Sequence, residues 1–158
     1  MTGPELDGGP PPGLELELPA KPAFVRTARH TVAALARLHD APEDLIEDIK
    51  LAVSEACTAA LGRPEGDGGS PREAIRLTAA AEAGRVVIDV IDPAGLFERS
   101  VAGAPSDIDT EDLPFDRLLA LPLIRGLVDE VAIDPEEPRG VRMRMIVRFD
   151  ADPVAGSS

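Results

Sequence analysis

Asp48-Ile49-Lys50-Leu51-Ala52-Val53-Ser54-Glu55-Ala56-Cys57-Thr58-Ala59-Ala60-Leu61 is the stretch whose reading decides the fold. With the preceding Leu45, its apolar residues Ile49, Ala52, Val53, Ala56 and Ala60 recur at helical spacing. They predict a helix that ends near Leu61 and buries one stripe. Pro42 suits the first turn of such a helix, and Glu43 and Asp44 fall near its positive end. Glu55 is the carboxylate beside the buried face, one turn before Ala59.

Upstream, Val25, Ala28, Val32, Leu35 and Ala36 predict a first helix from Phe24 to about His39, broken by Asp40-Ala41-Pro42. Leu14-Glu15-Leu16-Glu17-Leu18 alternates strictly and reads as a strand. Residues 1–13 carry Pro, Gly and acids and are expected to form a disordered tail. Downstream, Gly62 to Pro71 reads as a loop, and Ala74–Ala81 and Arg85–Ile91 read as strands with Gly84 in the turn between them. Asp92 to Asp116 is a long irregular stretch, of a kind that usually carries function. A helix is expected from about Leu118 to Val128, despite Pro122, then a short strand from Asp129 to Ile133. Val141 to Phe149 is the clearest strand: Val141, Met143, Met145, Val147 and Phe149 share one face, and Arg142, Arg144 and Arg148 the other. That arginine stripe fits either a solvent face or a site for an acidic partner. Segregated helices and hairpin-like strands predict an α+β two-layer sandwich, a mostly antiparallel sheet covered on one face by helices. One domain is expected over residues 14–150, with a frayed tail at 151–158.

Composition narrows the function. An apolar fraction of 44% suffices for one core, and 3% aromatics make that core aliphatic. A net charge of −13 argues against direct nucleic-acid or anionic-membrane binding and is compatible with a basic protein partner. One cysteine forms no internal disulfide, which points to a reducing cytoplasm. Cys57 reads as a small buried hydrophobe. No apolar run approaches the ~20 residues of a membrane span. His30 and His39 show no metal-ligand spacing, and no metal site is expected among the His and Cys residues.

Four strings in order resemble the anti-sigma-factor serine kinases of the histidine-kinase-like ATPase superfamily. Asp48 to Leu61 looks like the first nucleotide-binding box, and Ile91-Asp92-Pro93-Ala94-Gly95-Leu96-Phe97 like the second. Leu121 to Val131 looks like the helix after the third box, and Gly140-Val141-Arg142-Met143 like the closing strand. The similarity runs from about Leu14 to Phe149 and implies the histidine-kinase-like ATPase fold. It implies a protein that holds a sigma factor away from RNA polymerase and is opposed by an anti-anti-sigma partner of the STAS type. Active members use MgATP to phosphorylate a serine on that partner, and members commonly pair as homodimers.

The resemblance carries over residue by residue. Glu55 matches the catalytic Glu, which could accept a proton from an attacking hydroxyl; the alternative is a solvated acid on a helix flank. Asp92 matches the adenine-binding Asp, with loop amides as its alternative partners. Gly95 follows Ala94, which stands where the second box has a glycine. Arg29 matches a first-helix Arg that relatives use toward sigma factor and anti-anti-sigma protein; it could also be an ordinary surface Arg. Ala59 stands where ATP-using members carry the Mg²⁺-binding Asn, and a methyl group cannot ligate a hard cation. Arg117-Leu118-Leu119-Ala120 stands where glycines approach the phosphates, and its side chains block that approach.

The expected cofactor is therefore none, with ATP and Mg²⁺ implied only if the chain is an active kinase. Three readings follow: a stoichiometric sigma-factor holder, an ATP-dependent serine protein kinase, and a scaffold for a kinase paralogue. Ala59 and the missing glycines favour the first and third; Glu55 and Asp92 are what supports the second.

Overall fold

Alternation at the N-terminus becomes an edge strand, β1 (Leu14–Leu18), whose leucines face the helices and whose Glu15 and Glu17 face solvent. The computed structural model describes residues 13–61, 74–82, 84–93, 115–136 and 140–149, and of 115–120 the backbone alone. After a 3₁₀ turn at Pro22–Phe24 come α1 (Val25–Leu38) and α2 (Glu43–Leu61). Then follow β2 (Ile75–Glu82), β3 (Arg85–Asp92), α3 (Phe115–Leu127), β4 (Glu130–Pro135) and β5 (Val141–Arg148). The five strands form one sheet in the order β1-β2-β3-β5-β4, and every neighbouring pair is antiparallel. The ladder reaches back to Gly13, whose N–H donates to the Ala79 carbonyl at 2.6 Å.

The register sorts side chains into two layers, because directly opposed residues point to the same face. Val86, Ile88, Val90 and Asp92 of β3 oppose Val147, Met145, Met143 and Val141 of β5, and all eight face the helices. Leu77 of β2 and Val131 and Ile133 of β4 extend this layer, and α1 and α2 lie across it. The core is aliphatic apart from Met143, Met145, Cys57 and Phe149.

α2 is buried more widely than one stripe. Ile46, Ile49, Ala52, Val53, Ala56, Cys57, Ala59, Ala60 and Leu61 are all buried, while Leu45 is half-buried. The expected stripe was centred one position off at its start. The reason is that α2 meets α1, α3 and the sheet at once, so its apolar arc must exceed that of a surface helix.

α1 stops at a Schellman turn. Asp40 has φ 68°, its N–H donates to Arg37 O, and the Ala41 N–H reaches back to Ala36 O, both at 3.1 Å. α3 begins at Phe115, three residues before the expected start, and contains Pro122, which is exposed. That position lets the ring lie outward, at the cost of one backbone hydrogen bond.

The arginine stripe of β5 does lie on the uncovered face, but it is paired. Arg144 grips Asp89 with two hydrogen bonds of 2.8 and 2.9 Å, and Arg148 pairs with Glu130. Arg142 meets Glu136 at 3.5 Å and Asp134 at 4.0 Å. These long side chains lie over Val87 and Ile91, which are only 8% and 7% exposed on a face that no described helix covers.

Candidate functional site

The candidate site residues lie on α2 and at the end of β3. Glu55 is half-buried on α2, one turn before Ala59. Ala59 is 3% exposed, inside the packed arc, so its position presents only a methyl group to whatever lies alongside. Asp92 is the last residue of β3 and is 3% exposed. The alternation of β3 turns it toward the helical layer, in the row of Val86, Ile88 and Val90. Its direct neighbour across the ladder is Val141, itself 2% exposed. A buried carboxylate in an apolar row is costly unless engaged, and Asp92 is engaged within the protein.

Gly140 fixes the backbone at this point. It has φ +105°, where L side chains are strained. A Cβ there would sit 2.6 Å from the Asp92 carbonyl oxygen and 2.8 Å from Pro93 Cα. The turn into β5 therefore lies directly against the backbone that carries Asp92. Gly140 opens the closing-strand string in the sequence, but its contact with Asp92 and Pro93 depends on a register that no local pattern reveals.

Gly95 and Ala94 lie outside the described residues, as does the rest of the long irregular stretch up to residue 114. The segment 117–120 lies within α3. From residue 119 onward a helix that begins at Phe115 uses its amides in its own i→i−4 ladder. Those amides cannot turn to a phosphate. At the matched positions Ala59 supplies no oxygen donor to a metal, and the α3 amides from residue 119 onward are committed to the helix. Among the described residues, no three His, Cys, Asp or Glu side chains gather to hold a metal ion.

Arg29 is away from this site, on α1, and is half-buried rather than exposed. It follows Ala28, which is fully buried, and precedes the exposed His30, so it sits at the edge of the buried stripe. Among the described residues, no ion pair involves Arg29, Arg26 or Lys21. Cys57 is 2% exposed, and burial pushes its thiol up to about 12, which leaves no reactive thiolate. The half-buried Asp89–Arg144 pair had escaped the sequence reading. An acid between Ile88 and Val90 in a strand was its signal.

Comparison with known proteins bears on the fold and the family. The family model described as "Histidine kinase-like ATPase domain" matches residues 18–147. A serine-protein kinase RsbW of Bacillus pumilus is 33% identical over 126 residues, covering 76% of each chain. A serine-protein kinase RsbW of Bacillus cereus is 33% identical over 154 residues, covering 90% of this chain and 92% of its own. Among solved structures, a chain in the SiaB–SiaC complex of Pseudomonas aeruginosa superposes with a TM-score of 0.60 at 16% identity. That superposition covers 86% of this chain and 89% of the other, and at this identity it speaks for the fold. Fold, strand order and sequence together place the chain in the anti-sigma-factor serine kinase family, with a histidine kinase-like ATPase domain.

Proposed function

We propose that this protein works chiefly by holding a partner, with MgATP binding weakened or lost. The partner is a sigma factor, kept from RNA polymerase, and an anti-anti-sigma protein of the STAS type competes for the holder. The observation that carries this reading is Ala59, buried at 3% on the helix that bears Glu55. Phosphoryl transfer relies on metal to neutralise phosphate charge, and no oxygen donor stands at that position. The helical path of 117–120 supports the same reading from the phosphate side. By the resemblance, Glu55 and Asp92 keep the family's catalytic and adenine-binding positions, while Ala59 and 117–120 depart from its metal and phosphate positions.

The kinase alternative rests on those two retained residues. In it, Glu55 would act as general base toward a serine hydroxyl and Asp92 would hold the adenine amino group, beside Gly95. A homodimer is the expected assembly in either case.

Partner recognition fits α1. Between Lys21 and His39 the chain carries four Lys or Arg and no Asp or Glu, in a protein of net charge −13. Arg29 lies in that segment, and its planar fork suits a partner carboxylate. Arg29→Ala should weaken a sigma-factor complex by ~2 kcal/mol or more, roughly thirtyfold in affinity. Arg29→Lys should recover only part of this, because an ammonium loses the two-point geometry. The check is a binding titration of the three proteins against the candidate sigma factor, with melting curves beside it. Equal affinities for all three would remove Arg29 from the partner surface.

A further inference from the structure

We propose that Glu136 is a positioning residue for Asp92, acting through the β4–β5 turn. Glu136 has both carboxylate oxygens occupied. Oε2 lies 3.6 Å from Arg76 Nη2 on β2, and Oε1 lies 3.5 Å from Arg142 Nη1 on β5. Arg76 and Arg142 are the two residues directly opposite Ile91, one on each side. The carboxylate therefore bridges β2 and β5 over the top of β3, at the residue just before Asp92. Ile91 beneath it is 7% exposed, although no described helix covers this face. Glu136 itself is largely shielded, with a side chain 19% exposed.

The same turn reaches the other side of β3. The Glu136 N–H donates to the Gly140 carbonyl at 3.0 Å, which closes the turn. Gly140 then packs against the Asp92 carbonyl and Pro93 so closely that no Cβ fits between them. One end of the turn is held on the open face by two arginines, and its other end backs the Asp92–Pro93 peptide. Arg142 places Nη1 toward Glu136 and Nη2 toward Asp134, while its buried Nε has no hydrogen-bond partner among the described residues.

This inference rests on Asp92 being a site residue, and its test needs no nucleotide, so its failure is separable from that of the function proposed above. The test compares Glu136→Gln with Glu130→Gln, which breaks the Arg148 pair further along the same face. NMR follows the Asp92 carboxyl carbon and the amides of Asp92 and Gly140, with Ala52 and Val53 on α2 as internal references. Glu136→Gln should shift the Asp92 and Gly140 signals and leave those of Ala52 and Val53 in place. Arg76→Gln, which removes one arm, should shift them less and in the same direction. Glu130→Gln should leave all of them unmoved. Unchanged Asp92 and Gly140 signals in Glu136→Gln, or equal shifts in Glu130→Gln, would overturn the proposal.

Discussion

Ala59 and Cys57 show how much a single buried side chain decides here. Both lie on α2 and both are almost fully covered, at 3% and 2% exposure. Ala59 offers a cation nothing, whatever Glu55 four residues earlier retains. Cys57 is chemically silent for a related reason, since burial disfavours its thiolate. Its thiol should resist a disulfide reagent near pH 8 in the native protein and react once denaturant is added. Rapid native labelling would contradict its burial. The same shift has a stability consequence. The folded protein holds this proton up to about 12, whereas the unfolded thiol loses it near 9.0. Between those values the unfolded state binds fewer protons, so stability should fall as pH rises, by up to ~1.4 kcal/mol per pH unit. Denaturant titrations of wild type and Cys57→Ala across this range isolate the effect.

At the scale of elements, local rules set most of the architecture and long-range register set the rest. The Schellman turn after α1 places Asp40 in the left-handed region. Asp tolerates this at a cost that glycine avoids. Asp40→Gly should therefore raise stability by up to ~1 kcal/mol, offset in part by the freedom glycine gains in the unfolded chain. A rise in the denaturation midpoint with unchanged slope checks it; a fall would mean that the Asp40 side chain contributes more than its backbone costs. The strands were legible because alternation has a period of two and one face is buried. β5 falls where its alternating Val, Met and Arg residues put it. The width of the α2 arc was not legible, because Ile46, Cys57 and Ala59 are buried by neighbours that no local window contains. The arginine partners were hidden for the same reason: Asp89 and Arg144 are 55 residues apart, and only the β3–β5 register makes them opposites. At the site, Glu55 and Asp92 could be singled out from flanking strings. The turn that backs Asp92 through Gly140 could not.

Over the whole molecule, charge is distributed by role. The uncovered sheet face carries cations that each meet a carboxylate: Arg76, Arg85, Arg142, Arg144 and Arg148. Hydrogen bonds to Asp89 hold the Arg144 guanidinium above its usual range. Exposed pairs of this kind add little stability singly, about 0–1 kcal/mol, but they settle which strands are neighbours and cover Val87 and Ile91. The segment leading into and through α1 has the opposite character, with Lys21, Arg26 and Arg29 outside any described ion pair. A fold shared with serine-protein kinases thus presents a paired sheet face and a basic helix, and the proposed loss of MgATP binding follows from Ala59 and the helical path of 117–120. Calorimetric titration with MgATP puts that last point to trial. Binding no tighter than about millimolar, a free energy of ~4 kcal/mol, is the expected result, and Ala59→Asn alone should not bring back serine phosphorylation. A micromolar dissociation constant for the wild-type protein would contradict the partner-holding reading and restore the kinase.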